Sequence, residues 1–375
     1  MQAYLDNSAT TPVCRAAKEA MLCAIDRDWG NPSSLHQKGM DAEKLLKDAR
    51  GLVAKTLSCD EKEIVFTSGG TEANNLAVFG SARANRRKGN KLVVSSVEHP
   101  SVAKAFDRLE GEGFEVVRLA VDRFGVVSAE ELENAIDEKT ILISLMAVNN
   151  ELGSIEPIEE LSKIVKRKSS PALIHVDAVQ AFGKIPLNVR KLGVDLMTVS
   201  SHKIHGPKGV GALYIKSGTK LTPNTVGGEQ ENRIRPGTEP MIAVAGFAGA
   251  IKSLPKNDCI EKVTALRDEF VAELEQLDGI VINSAKNALP YIVNISLPGY
   301  PSEAVLNFLS DMEIYVSSGS ACAKGHRSPV LEAAGLESER INSSIRISLS
   351  RYTTKEELDY CLVGLQTAMK TIRRK

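Results

Sequence analysis

Leu173-Ile-His-Val-Asp177-Ala-Val-Gln180 and, further on, Leu196-Met-Thr-Val-Ser200-Ser-His-Lys203 are the stretches whose reading decides the fold. Each is a short apolar run that stops on polar residues, as a buried strand does at the rim of a parallel sheet. The pattern repeats outward at Ile64 to Ser68, Lys91 to Ser95, Phe114 to Leu119 and Ile141 to Met146. Amphipathic stretches from about Thr71 to Lys88 and from Pro100 to Glu112 separate them and read as helices. Short strands alternating with helices predict an α/β fold with a mainly parallel sheet. Ligands of such sheets gather beyond the strand C-termini, where Ser68, Asp177 and Ser200 fall. Past the apolar stretch 241–251, Leu254-Pro-Lys-Asn-Asp258 reads as a boundary. The remainder, with a long helix from Cys259, strands near Ile280, Ile292 and Ser344, and a capping box at Thr354 and Glu357, predicts a smaller α+β domain.

The bulk numbers narrow the function. Basic and acidic residues both total 47, so the formal net charge is zero, which argues against direct nucleic-acid binding through bulk phosphate attraction. The basic runs Arg86-Arg-Lys88 and Arg373-Arg-Lys375 read as helix C-termini, where cations suit the dipole. The longest apolar run, Met241 to Ile251, falls short of the roughly 20 residues of a membrane span. Met1-Gln-Ala-Tyr-Leu-Asp6 does not resemble a signal peptide. The six cysteines form no CxxC pair and no zinc spacing, so the expectation is reduced thiols in a cytoplasmic protein without a metal.

Lys203 follows an apolar run and is hemmed in by serine, histidine and glycine. Lysines in such settings form Schiff bases, because desolvation frees the amine lone pair. Asp177 ends another run, and the two together suggest a pyridoxal phosphate site, in which a carboxylate pairs with the pyridinium nitrogen. Gln180 is near enough in the chain to reach the same ligand. Ser68-Gly-Gly70-Thr71-Glu-Ala-Asn74 joins a strand to a helix in the manner of an anion loop, with a tight turn capped by Thr71 as the lesser alternative. Ser200 and His202, beside the lysine, are further phosphate candidates, although each taken alone reads as a satisfied polar residue. His99, between a strand and Pro100, is placed to stack on a ring and exchange protons, or to be a loop histidine without a task. Arg346 lies in the apolar strand Ser344 to Ser348 and needs an anion there, either a substrate carboxylate or a buried ion-pair partner. Cys322, within Ser317-Ser-Gly-Ser-Ala-Cys322-Ala-Lys-Gly-His326, has small residues before it and cations after it, which favour a thiolate, with an incidental loop cysteine as the alternative.

In order along the chain, YLDNSATTP, NPSSLH, FTSGGTEANN, VEHPS, NNELGSIEP, HVDAVQ, SSHKIHGPKG, GGEQE, RPGTE, SSGSAC and SIRISLSRYTT together resemble the NifS/IscS-type cysteine desulfurases among the class V pyridoxal phosphate enzymes. The resemblance implies aminotransferase fold type I, with a sheet of the seven-stranded type in a large domain at 16–253. Residues 1–15 and 254–375 would form the small domain carrying the cysteine segment. It implies L-cysteine as substrate, Lys203 as the cofactor lysine, Asp177 at the ring nitrogen, Gln180 at the ring hydroxyl and His99 on the ring face. Gly70, Thr71, Ser200 and His202 would hold the phosphate, with Thr238 from the other subunit of a homodimer. Asn150 would lie beside the cofactor and, with Arg346, position the substrate, and Cys322 would accept the sulfur for delivery to an acceptor protein. Where the family often reads GGGQERGLRSGT, this chain has GGEQENRIRPGT, so Glu229, Arg233 and Pro236 alter that segment. Other class V reactions, selenocysteine lyase or aminotransferase, are the nearest alternatives. A non-enzymatic sulfur-relay subunit that keeps the fold is the alternative from another class.

Overall fold

The computed structural model describes residues 1–255, 259–318 and 327–374. In chain order its strands are Ala3–Tyr4 (β1), Ile64–Thr67 (β2), Lys91–Ser95 (β3), Glu115–Leu119 (β4), Thr140–Met146 (β5), Leu173–Asp177 (β6), Leu196–Ser200 (β7), Gly211–Ile215 (β8), Val281–Ile282 (β9), Ile292–Ser296 (β10), Ile314–Tyr315 (β11) and Ser344–Ser348 (β12). Seven of them make the large sheet, in the order β2-β8-β7-β6-β5-β3-β4. The pairs from β4 to β7 are parallel, and β8 runs antiparallel to both β7 and β2. Burial explains the sequence of each strand. Every residue of the central β5 is buried, so its apolar character is continuous, whereas the edge strand β4 exposes Glu115 and Arg118.

Helices cover both faces. On one, Phe79 from the helix Gly70–Asn85 and Val102, Phe106 and Leu109 from the helix Pro100–Gly111 pack on Leu92, Val94 and Leu142 of the sheet. The first of these helices ends at Asn85 rather than Lys88, with Arg86 as its C-cap and the Lys88 N–H turned back onto the Asn85 carbonyl. Its start is fixed by close approach. Gly69 has a φ of 151°, and a Cβ on Gly70 would lie 2.9 Å from Val179 Cγ2, so glycine lets the helix N-terminus reach the ends of β6 and β7.

The C-terminal part forms the antiparallel sheet β12-β10-β9, with Arg346 of β12 opposite Asn294 of β10. The N-terminus joins this part, since β1 pairs with β11 and Asp6 bridges to Ser348. The terminal helix Lys355–Thr371 opens with the expected capping box of Thr354 and Glu357. Among the described residues no helix is long and apolar enough to cross a membrane.

Candidate active site

The parallel strands end on one cavity of about 560 Å³. β6 delivers Asp177, β7 delivers Ser200 followed by His202 and Lys203, and β2 leads into Gly70 and Thr71. His99 and Glu98 follow β3, and Asn150 follows β5 in a turn that Asn149 holds through its contacts with Val97, Glu151 and Leu152. Gln180 and Arg346 also line it. Motifs spread through the sequence therefore converge on the rim that a parallel sheet offers a ligand.

Asp177 is buried and receives hydrogen bonds at both oxygens, from Val179 N–H at 3.0 Å and from the Asn74 amide at 2.7 Å. Lys203 Nζ donates to the carbonyl of Ala9 at 2.7 Å and also to that of Ser8. The same Ser8 carbonyl accepts from Gln180 Nε2 at 2.9 Å, and Gln180 Oε1 accepts from Lys184 at 3.2 Å. The segment Ser8–Ala9 thus closes the cavity over the lysine. Arg346, 2% exposed, gives Nη2 to Asp6 at 2.8 Å and Nη1 to the Asn150 carbonyl at 3.0 Å. The ion-pair partner considered for Arg346 is thus present, and the arginine still lines the cavity.

The model of the class V aminotransferases matches residues 3–361. A cysteine desulfurase IscS of Dictyoglomus turgidum is 43% identical, the alignment covering 99% of this chain and 95% of that protein. A putative cysteine desulfurase of the same name from Bacillus subtilis is 40% identical over 95% of both. A solved NifS-like protein superposes with a TM-score of 0.93 at 37% identity, over 99% of this chain and 100% of the other. Another, described as SspA in complex with cysteine, gives 0.84 at 33% identity, over 94% and 100%. The chain belongs to the class V aminotransferases. Its cofactor is therefore pyridoxal phosphate, and its relatives are cysteine desulfurases.

The cavity of this class V aminotransferase fits that group on its own chemistry. Ser8, Ser96 and Ser200 Oγ, Asn74 Oδ1 and Glu98 Oε2 are buried around it without a hydrogen-bond partner among the described residues, an arrangement that suits a polar ligand. The glycine approach at the helix Gly70–Asn85 leaves backbone N–H groups, the Thr71 hydroxyl and Ser200 together for a phosphate. Asp177 suits a ring nitrogen and Lys203 an aldehyde.

Electrostatics sort the neighbours. Burial, helped by Lys203, holds His202 down at about 3, so it is neutral at physiological pH. Burial also lowers His99, with Asp177 pulling the other way and Lys203 reinforcing the drop. Glu98 is pushed well above the usual carboxyl range, by burial first and then by the charge of Asp177. Lys184 falls to about 7 through burial, with Lys203 and Arg346 adding repulsion.

Ten of the residues singled out in the sequence line the cavity: Gly70, Thr71, His99, Asn150, Asp177, Gln180, Ser200, His202, Lys203 and Arg346. Thr238 does not; it is exposed on the segment after the turn Gln230–Arg233. Cys322 lies outside the described residues. Sequence reading missed Asn74, Glu98, Ser101 and Glu151 on the lining, and Asp6 behind Arg346. A signal existed for Asn74, which lies three positions after Thr71 on one helix and hence on the same face. Asp6 gave none, because its partner is 340 positions away.

Proposed function

We propose that this chain releases L-alanine from L-cysteine and takes the sulfur onto Cys322 as a persulfide. The observation that carries the reading is the convergence of Lys203, Asp177 and Arg346 on one buried cavity, in a chain that also carries Cys322.

Lys203, Asp177, Gln180 and His99 would hold the pyridoxal part of the cofactor, and Gly70, Thr71, Ser200 and His202 its phosphate. Bound there, the cofactor supplies a sink for the electron pair left at the substrate's α-carbon. The residues of the chain do the rest. Arg346 presents a planar guanidinium to the substrate carboxylate, with Asn150 fixing its approach. The Lys203 amine takes the α-proton and carries it onward. Asp177, held by two donors, turns its carboxylate to the ring nitrogen. The Cys322 thiolate attacks the substrate sulfur. The S–S bond forms as the substrate's Cβ–S bond breaks, and the electron pair stays with the carbon, which takes up a proton and leaves as alanine.

The chain divides at 16–253 for the cofactor-binding part, with 1–15 and 254–375 forming the part that brings Arg346 and Cys322. It works as a homodimer in which Thr238 serves the partner's phosphate site, and it hands the sulfur to an acceptor protein in the cytoplasm. The pairing of β1 with β11 supports the division, and the exposure of Thr238 leaves it open to a partner subunit.

Alanine and sulfide measured with L-cysteine and a thiol reductant test the reaction. Equal amounts are expected, and no new amino acid should form when an oxo acid is added. Cys322→Ala should keep the visible absorption of bound pyridoxal phosphate and release no alanine. Full turnover by that variant would overturn the assignment of Cys322.

A further inference from the structure

Between the His99 ring and the Asp177 carboxylate lie two side chains that the reading above leaves without a task. Ser101 Oγ is 2.8 Å from His99 Nδ1, and the Ser101 backbone N–H donates to the same nitrogen at 3.1 Å. Asn74 Nδ2 is 2.8 Å from Ser101 Oγ and 2.7 Å from Asp177 Oδ2. Asn74 and Ser101 are both buried, so water does not compete for these bonds.

Counting hydrogens gives every bond a direction. An ionised carboxylate only accepts, so Asn74 must turn its amide nitrogen toward Asp177. That orientation leaves Asn74 Oδ1 buried without a partner among the described residues, so the amide is set by its donors and not by its oxygen. One amide hydrogen goes to Asp177 and the other to Ser101 Oγ. Ser101, accepting there, gives its own hydrogen to His99 Nδ1, where its backbone N–H also converges. A ring nitrogen that receives two hydrogens carries none, so the proton of neutral His99 sits on Nε2.

We propose that Asn74 and Ser101 are positioning residues that fix His99 as its Nε2–H tautomer and tie the ring to the Asp177 carboxylate through a single amide. The chain sets the two groups assigned to the cofactor ring, one at its nitrogen and one on its face, with one rigid element of the helix Gly70–Asn85. It also favours the neutral ring, because the Ser101 hydroxyl can donate to Nδ1 only while that nitrogen is unprotonated. The inference rests on His99 and Asp177 being the cofactor's contacts, but its test requires no turnover.

The charged and titratable groups facing His99 are Asp177 at the end of β6, Lys203 and His202 after β7, and Glu98 beside it in its own loop. Lys104 and Asp107 of the helix that follows line the same cavity. None of them changes in the variants below.

The holoenzyme is labelled with ¹⁵N-histidine and followed by long-range ¹H–¹⁵N correlation across pH, with His99 identified by its absence in His99→Asn. The wild type should show a protonated Nε2 and a bare Nδ1. In Ser101→Ala the His99 midpoint should rise by about one pH unit, the loss of one hydrogen bond to the neutral ring. Asn74→Leu should move it the same way and also weaken retention of pyridoxal phosphate about five- to tenfold, since Asp177 loses a donor. Ser101→Thr, which keeps the hydroxyl, should restore the wild-type midpoint. A wild-type ring protonated on Nδ1, or a midpoint unmoved in both Ser101→Ala and Asn74→Leu, would overturn the proposal. Correct tautomer and shifts in a protein that releases no alanine would leave it standing and defeat only the assignment of the reaction.

Discussion

Two carboxyl groups flank the end of β5, and the chain treats them in opposite ways. Asp177, at the end of β6, takes a backbone N–H on one oxygen and the Asn74 amide on the other. Glu98, in the loop after β3, takes only the Met146 N–H at 2.6 Å, and its second oxygen has no partner among the described residues. Both are nearly inaccessible to water. The donors around each group, rather than the residue type, decide what it does. Asp177, with one donor on each oxygen, is held in place opposite a ring nitrogen. Glu98, pushed up by burial and by Asp177, is equipped to hold a proton.

Substitutions on the two sides should separate this difference, with the largest effect on the Asp177 side. Asp177→Ala should lower alanine formation by about a thousandfold and loosen the cofactor, read by activity and by the visible spectrum after gel filtration. An effect below about tenfold would remove Asp177 from the reaction. Arg346→Lys comes next. The Asp6 and Asn150 contacts depend on a planar fork, so KM for L-cysteine should rise about tenfold or more, with the cofactor spectrum unchanged. An unaltered KM would leave Arg346 a structural ion pair only.

Glu98→Gln should leave turnover within about threefold, because the amide mimics a protonated carboxyl. It should also alter stability with a definite sign. A carboxyl raised in the folded state contributes stability that is present at low pH and lost as pH rises through its folded value. Glu98→Gln should therefore gain in Tm relative to the wild type as pH rises from 5 toward 9. A difference in Tm that stays flat over that range would show that Glu98 is already charged in the folded protein. Glu156 offers a smaller version of the same effect away from this cavity. Burial pushes it up to about 8, although Val127 N–H donates to it at 3.0 Å. The gain of Glu156→Gln should build from the ordinary carboxyl range up to about pH 8 and then level off, without a change in turnover.

Much of this rim was legible in the sequence because strand ends are local features. Asp177, Ser200 and Lys203 each follow an apolar run that stops abruptly, and Gly70 and Thr71 open a helix straight after a strand. β6, β7 and β12 fall on the residues expected of them. The strand β8 at Gly211–Ile215 was not expected, and its antiparallel course leaves no mark in composition. Nor could the sequence pair residues that meet only when the chain closes on itself. Asp6 reaches Arg346 from the other end of the chain, and the Ser8 and Ala9 carbonyls take the Lys203 amine. Glu98 and Ser101 stand beside His99 in the quoted motif, but which of them is fed with donors depends on β5 and on the helix Gly70–Asn85.

The central claim is that Lys203 and Cys322 divide the reaction between them, and peptide mass spectrometry tests it most directly. The holoenzyme is given L-cysteine without reductant, quenched and digested. The Cys322 peptide is expected to gain one sulfur atom in step with the alanine released, and to gain none in Lys203→Ala. Alanine formed in full while Cys322 stays an unmodified thiol would contradict the account.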